Sequence, residues 1–280
     1  MPATVTRLED VKIRMEKTTI TPQIATSLLE NNTINRPLSD AHVHRIARQI
    51  TGGHWKFNGD TIKIADTKDV VDGQHRLWAV IEANMSIETI IVYGVARDAF
   101  STLDTIRKPR SGSDVLALGG MERGKSTKFT AAALKLLFAY QHDPDLRNMG
   151  KIGNRAENSD IEALFVSHPN LPEAVGKVAA LHSVAAVSAL AFVYYIAVSK
   201  NENLAEQMIT ILDAPAGTSA SNPFYQLRKA LVAHEKKRRT VEQIALMFKA
   251  LNIAKNGKKI DRLIWKCQGD KPEDFPVLRI

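Results

Sequence analysis

The pattern of apolar and polar positions changes about one hundred residues along the chain. Up to about residue 95, short alternating or continuous apolar runs are interleaved with amphipathic ones, in the order strand, helix, helix, strand, strand, helix, strand. From about Ser113 onward, apolar residues recur almost only at helical spacing. The pattern predicts an α+β protein, with an N-terminal α/β domain over residues 1–110 and a C-terminal all-helical domain over residues 111–280.

The N-terminal elements have clear boundary signals. Thr21 before Pro22 and Ser39 before Asp40 are typical helix N-caps, and Gly52-Gly53 ends the second helix. A third helix is expected to begin directly after Gly73. The predicted strands share alternating or continuous apolar residues, and they cover residues 10–20, 61–64, 69–71 and 87–92.

Seven helical segments are predicted in the C-terminal part. They cover residues 113–118, 128–141, 159–168, 172–198, 202–212, 222–234 and 240–255. Ser113 is the expected N-cap of the first, and Gly119 is expected to end it. The longest apolar stretch, from Val184 to Val198, is shorter than the ~20 residues that a membrane span needs, so it predicts a buried helix and no membrane partner.

Composition narrows the choice of partners. The formal net charge of +8 favours a polyanion, with DNA as the first candidate, although a soluble basic protein without such a partner has the same composition. The single cysteine, Cys267, excludes an internal disulfide and a cysteine-based metal cluster, and is typical of a reducing cytoplasm. The sequence carries no signal of the oligomeric state. A homodimer is compatible with it.

The candidate chemistry lies in the run Asp72-Gly73-Gln74-His75-Arg76. A strand ends there, Gly73 allows backbone angles closed to other residues, and a helix begins. The first N–H groups of a helix have no internal partners and carry partial positive charge, so they attract anions. Arg76 could then hold a phosphate through its planar guanidinium.

Two residues of this run have open alternatives. Asp72 could hold a divalent cation or take part in catalysis, or it could only cap the helix. His75 could be a general acid or base, since its unperturbed pKa lies near neutrality, or it could only shape the turn through a backbone hydrogen bond. Arg76 itself could be no more than a surface ion-pair partner.

The string VVDGQHRLWAV resembles the DGQHR signature of proteins with the ParB/sulfiredoxin fold, including DndB-like and phage ParB-like proteins. The resemblance extends to NRPLSDAHVHRIARQITGGHWKFNGDTIKI before it and VYGVARDAFSTLDTIRKPRSGSDVLAL after it, about residues 20–120. It implies a ParB/sulfiredoxin-like domain in a bacterial or phage-infected cell. It also implies a site for a nucleoside triphosphate, ATP or CTP with Mg²⁺, around Gly73, Gln74, His75 and Arg76.

The chain also departs from that superfamily. Gln74 stands where sulfiredoxin has its catalytic cysteine, so the resemblance does not imply redox chemistry. The acidic, double-arginine signature of ParB is replaced by Gln74-His75-Arg76. The second phosphate motif of ParB looks most like residues 103–107, which adds Asp104, Arg107 and Lys108 to the pocket unless this segment is a plain basic linker. Arg36, in a polar loop, is a further candidate.

Residues 119–126 match the P-loop pattern G-x-x-x-x-G-K-[ST] letter for letter. A P-loop needs a buried strand before it and a helix after it. The preceding residues, 111–118, look like a short capped helix. A working P-loop is therefore not expected.

The helical half carries a basic cluster, Lys236, Lys237, Arg238 and Arg239, between two predicted helices. Such a cluster suits contact with the DNA backbone, although a solvated loop has the same composition. The helix beginning at Thr240 starts like a helix-turn-helix unit, but no clean recognition helix follows. Trp55, Trp78 and Trp265 are more typical of core packing than of base stacking.

The leading functional hypothesis is a ParB-like, nucleotide-binding, DNA-associated protein that uses the DGQHR turn as its phosphate site; whether it is an NTPase is left open. One rival is a phosphotransferase or nuclease acting on nucleic acid through Asp72 and His75. A second is a DNA-binding regulator in which Arg76 contacts a DNA phosphate and no nucleotide is used.

Overall fold

A computed structural model describes residues 13–32, 37–96, 111–122, 124–151, 155–233, 239–267 and 271–280. The chain divides into two compact units, Met1–Pro109 and Arg110–Ile280. The first contains a mixed sheet with helices and the second contains helices, so the fold class is α+β. The predicted domain boundary, between residues 110 and 111, lies one residue after this division.

The sheet of the first unit has four strands among the described residues, in the order β1-β4-β2-β3. Strand β1 pairs antiparallel with β4, β4 pairs parallel with β2, and β2 pairs antiparallel with β3. The strands are β1 (Arg14–Ile20), β2 (Thr61–Ala65), β3 (Val70–Asp72) and β4 (Ile87–Val95). All four were predicted from the sequence, with boundaries that differ by a few residues.

The described part of this unit also contains the helices α1 (Pro22–Leu29), α2 (Asp40–Thr51) and α3 (Gln74–Ala83). Thr21 caps α1, because its Oγ1 accepts a hydrogen bond from the Ile24 N–H at 3.3 Å. Ser39 caps α2 in the same way, accepting from the His42 N–H at 3.4 Å. Both predicted caps are confirmed, and each fixes where its helix begins.

The core of the first unit lies between one face of the sheet and the helices. Alternate residues of a strand point to the same face, and here the buried set comes from even positions of β2 and odd positions of β4. The buried residues of this core are Ile20, Ala25, Val43, Ala47, Ile50, Ile62, Ile64, Val70, Leu77, Ala79, Val80, Ile87 and Ile91. Lys63 therefore lies on the opposite face of β2 from Ile62 and Ile64.

The second unit is helical. Its helices are α4 (Gly112–Leu118), α5 (Lys125–His142), α6 (Asn158–Ser167), α7 (Leu171–Val178), α8 (Val187–Asp213), α9 (Pro223–Val232) and α10 (Thr240–Lys255), with short 3₁₀ turns at Leu146–Asn148 and Ala179–Ser183. Phe192, Phe224 and Phe248 are fully buried in its core. After α10, residues 256–267 and 271–280 form no helix or strand, yet Trp265, Phe275 and other apolar side chains of this segment are buried in the same core.

The helices differ from the prediction in three main respects. The N-cap of α4 is Ser111, not Ser113, because Ser111 and Asp114 form a reciprocal capping box: each side chain accepts from the other's backbone N–H. The segment predicted as one helix over 172–198 is two helices, α7 and α8, separated by the 3₁₀ turn. The predicted break after residue 198 is only a kink at Asn201, where the side chain recaps the helix by accepting from the Leu204 N–H at 3.1 Å.

Most of the longest apolar stretch lies in α8, where the majority of its residues are buried, as predicted. None of the described helices combines the length and the apolar content that a membrane span requires. Of the three tryptophans, Trp265 is buried and Trp55 packs at the edge of the first core. Core packing was the wrong prediction for Trp78, which is 38% exposed and is not among the buried residues of α3.

Candidate functional site

Gly73 sets the geometry of the DGQHR turn. Its φ angle is +105°, a conformation that L side chains rarely adopt. A Cβ at this position would also lie 3.0 Å from Cγ1 of Ile62, an unusually tight contact with β2. The chain can thus turn from β3 into α3 against the sheet, which brings the first turn of α3 beside strand β2.

Arg76 lies in that first turn with its side chain 16% exposed. Its Nη2 donates to the backbone oxygen of Thr61 at 2.8 Å and lies 3.5 Å from Oδ2 of Asp72. Its Nη1 is buried and has no hydrogen-bond partner among the described residues. A buried guanidinium N–H without a partner is costly, and a bound anion would satisfy it.

Asp72 is held by two cations. Its Oδ2 lies 2.6 Å from Nζ of Lys63 and 3.5 Å from Nη2 of Arg76. Lys63 and Asp72 are register partners because the β2–β3 ladder shifts by one residue between Ile64 and Lys63. The carboxylate that was a candidate cation ligand is thus neutralised by protein groups. Within the described ranges no group of three or more His, Cys, Asp or Glu side chains is placed to hold a metal ion.

His75 and Gln74 are both buried and face earlier loops. The backbone N–H of Ser39 donates to Nε2 of His75 at 3.2 Å, and Nδ2 of Asn32 donates to Oε1 of Gln74 at 3.1 Å. Because Nε2 accepts a hydrogen bond, it carries no proton in this arrangement. The contact supports the interpretation in which His75 shapes the turn and ties α3 to the start of α2.

Asp72, Gly73, His75 and Arg76 border a cleft of about 430 Å³ in the first unit, whereas Gln74 does not line it. Its walls come from α2, the loop before β2, strand β2 and the DGQHR turn. The ring of His42 meets that of His75 edge-on, with centroids 4.9 Å apart. The cleft is lined by His42, Ile46, Trp55, Asn58, Gly59, Asp60, Thr61, Lys63, Asp72, Gly73, His75 and Arg76.

The sequence predicted the DGQHR part of the cleft lining, but not the part formed by α2, the loop before β2 and strand β2. Lys63 was missed because a regular hairpin would place Val71 opposite it, and only the one-residue shift brings Asp72 there. His42 and Ile46 share a face of α2 at a spacing of four residues, a signal that is also typical of a plain amphipathic helix. Asn58 forms a turn, since its Oδ1 accepts from the Asp60 N–H at 2.9 Å, and it also borders the cleft.

Several predicted site residues lie outside the described residues. These are Arg36, Asp104, Arg107, Lys108, Lys236, Lys237 and Arg238. Of the predicted DNA-binding cluster, Arg239 is described: its side chain is 67% exposed, and its Nε donates to Oε1 of Glu242 at 2.9 Å.

The P-loop-like segment lies between two helices. Helix α4 ends at Leu118, and Lys125 and Ser126 are exposed residues in the first turn of α5. A helix therefore stands where a P-loop needs a buried strand, which agrees with the expectation from the sequence.

Comparison of the chain with known protein families, with curated proteins and with solved structures found no match. The case for function therefore depends on the residues of the cleft.

Proposed function

We propose that the first unit is a ParB/sulfiredoxin-like domain whose cleft binds a nucleotide through its phosphate groups. The observation that carries this proposal is the buried Nη1 of Arg76, which has no partner among the described residues and borders the cleft. Charge-assisted hydrogen bonds from arginine to phosphate oxygens are among the stronger polar contacts in proteins. The DGQHR resemblance independently assigns phosphate binding to the same turn.

The position of Arg76 at the start of α3 adds to this case. The N–H groups at the start of the helix and its dipole favour a negative charge at this end. Gly73, which precedes the helix, also lines the cleft. The cleft volume of about 430 Å³ also lies within the range of about 300–1,000 Å³ usual for small-molecule sites.

The contacts of the two catalytic candidates favour binding over chemistry. Asp72 is paired with Lys63, and Nε2 of His75 accepts from Ser39. Mg²⁺, in this proposal, arrives on the triphosphate and is not held by Asp72. The rival hypotheses of a phosphotransferase or a nuclease need one of these side chains to give up its present partner.

DNA association is the second part of the proposal. It is supported by the net charge of +8 and by the basic cluster that ends at the exposed Arg239. Contacts with the DNA backbone release counterions, so affinity should fall steeply as salt rises. Binding measured at two salt concentrations tests this part, and a flat response would contradict it.

Thermal shift with each nucleoside triphosphate and Mg²⁺ tests the nucleotide proposal. A ligand that binds the native state raises its apparent stability by mass action. Wild type should shift with at least one nucleotide, Arg76→Ala should not, and Lys125→Ala, in the P-loop-like segment, should behave as wild type. A shift that Lys125→Ala abolishes and Arg76→Ala retains would move the site to the second unit.

A further inference from the structure

The cleft is larger than a phosphate group needs, and its lining is chemically mixed. Arg76, Lys63 and Asp72 provide a charged part of the lining. Half-buried His42, Ile46 and Trp55 form a second, weakly polar wall. A ligand that fills the cleft therefore combines an anionic group with a flat, weakly polar one.

Helix α2 and the loop after it give this wall a fixed shape. His42 and Ile46 lie one helical turn apart on α2, and the His42 ring is held edge-on against His75. Trp55 packs at the edge of the first core, and its Nε1 donates to the backbone oxygen of Glu88 at 3.3 Å. The indole is thus anchored at its polar edge while part of its surface borders the cleft.

The cleft lining also includes hydrogen-bonding groups. Asn58, Gly59 and Asp60 form a tight turn, in which Asn58 Oδ1 accepts from the Asp60 N–H and Gly59 has a φ angle of +84°. Thr89 Oγ1 donates to the backbone oxygen of Asp60 at 3.0 Å, which ties the turn to β4. Carboxylate and amide groups at such a position suit the hydroxyl and amino groups of a nucleoside.

We infer that the wall of His42, Ile46 and Trp55 is a nucleoside subsite, with Trp55 providing the surface against which the base packs. This inference rests on the proposed phosphate site at Arg76 and adds the part of the ligand that the site selects. Aromatic stacking of a base is tolerant of base identity, so the subsite distinguishes nucleotides from inorganic polyphosphates more than one base from another.

The test compares ATP and CTP with inorganic tripolyphosphate, which has the same number of phosphate groups and no nucleoside. Dissociation constants are measured by titration calorimetry with equal Mg²⁺. We expect wild type to bind at least one of the nucleotides about tenfold or more tightly than tripolyphosphate. Trp55→Ala should reduce this preference to a few-fold and leave tripolyphosphate binding unchanged.

Trp78→Ala is the matched control, because Trp78 belongs to the same unit, is partly exposed and does not border the cleft. It should keep the wild-type preference. Since Trp55→Ala also removes packing from the edge of the core, Trp55→Phe and Ile46→Ala are measured beside it, with melting temperatures for each. Trp55→Phe should retain most of the preference through its ring, and Ile46→Ala should lower it.

The outcomes separate this inference from the proposal beneath it. Equal binding of nucleotides and tripolyphosphate by wild type, with both lost in Arg76→Ala, would overturn the nucleoside subsite and leave the phosphate site standing. A nucleotide preference that survives in both Trp55→Ala and Ile46→Ala would also overturn it. Binding of neither ligand by folded wild type would contradict the phosphate site and the subsite together.

Discussion

Lys63 Nζ lies 2.6 Å from Oδ2 of Asp72, across a β2–β3 pair that the ladder shift has brought into register. Both side chains are largely buried, with 23% and 21% of their surface exposed. The pair places a neutralised carboxylate 3.5 Å from the guanidinium that we propose as the phosphate contact. Asp72 therefore competes with a bound anion for Arg76.

Asp72→Asn removes that competing charge. We expect phosphate ligands to bind several-fold more tightly, because the field at Arg76 and Lys63 becomes more positive. Titration calorimetry with and without Mg²⁺ measures the change. If Asp72 were instead a metal ligand, the substitution would abolish Mg²⁺-dependent binding, and that result would contradict the role assigned here.

Gly73→Ala should destabilise the first unit by about 2 kcal/mol or more, because backbone strain adds to the contact with Ile62. Gly53→Ala is the control: Gly53 also has a positive φ, +69°, but an added Cβ there would meet nothing within 4 Å. Its expected cost is about 1 kcal/mol. Urea unfolding measures both, and equal costs would show that close approach to Ile62 contributes nothing.

His168 provides a pH dependence in the second unit. Burial lowers the pKa of His168 below its usual value of 6.5, and its Nδ1 lies 2.9 Å from the Tyr195 hydroxyl. A lowered pKa means that the unfolded chain binds the proton more readily than the native state. The stabilising contribution is thus present above pH 6.5 and is lost as the pH falls through the lowered value.

Unfolding free energies of wild type and His168→Gln, measured from pH 7.5 down to about 5, test this linkage. As the pH falls, the unfolding free energy of wild type should decrease more than that of His168→Gln. A constant difference between wild type and His168→Gln across the range would contradict the prediction.

Most helices and strands could be predicted from the sequence because the signals that specify them are local. Thr21-Pro22 and Ser39 act within one helical turn, and the alternation in β2 reports which face is buried. The helix break predicted after residue 198 was wrong because an asparagine side chain can either end a helix or cap its continuation. At Asn201 the side chain caps the continuation, and the helix is only kinked.

Only part of the candidate site could be predicted from the sequence, for a physical reason. The DGQHR turn is contiguous, so its residues stand together in the sequence. Lys63 enters the site through a one-residue shift in strand register, and His42 and Trp55 enter it through tertiary packing. Neither effect leaves a local signal in the sequence. Lys63 has the pattern of an ordinary exposed strand residue, and Trp55 that of an ordinary core residue.

The affinity of the protein for ATP and CTP with Mg²⁺, measured by titration calorimetry in wild type, Arg76→Lys and Arg76→Ala, tests the central claim most directly. Arg14→Ala, which removes an exposed arginine of the same unit, controls for the loss of one positive charge. We predict that wild type and Arg14→Ala bind at least one nucleotide with similar affinity. Arg76→Lys should bind it more weakly, and Arg76→Ala should lose about tenfold to a hundredfold in affinity. Undiminished binding by a folded Arg76→Ala protein, or no binding by wild type, would contradict the account.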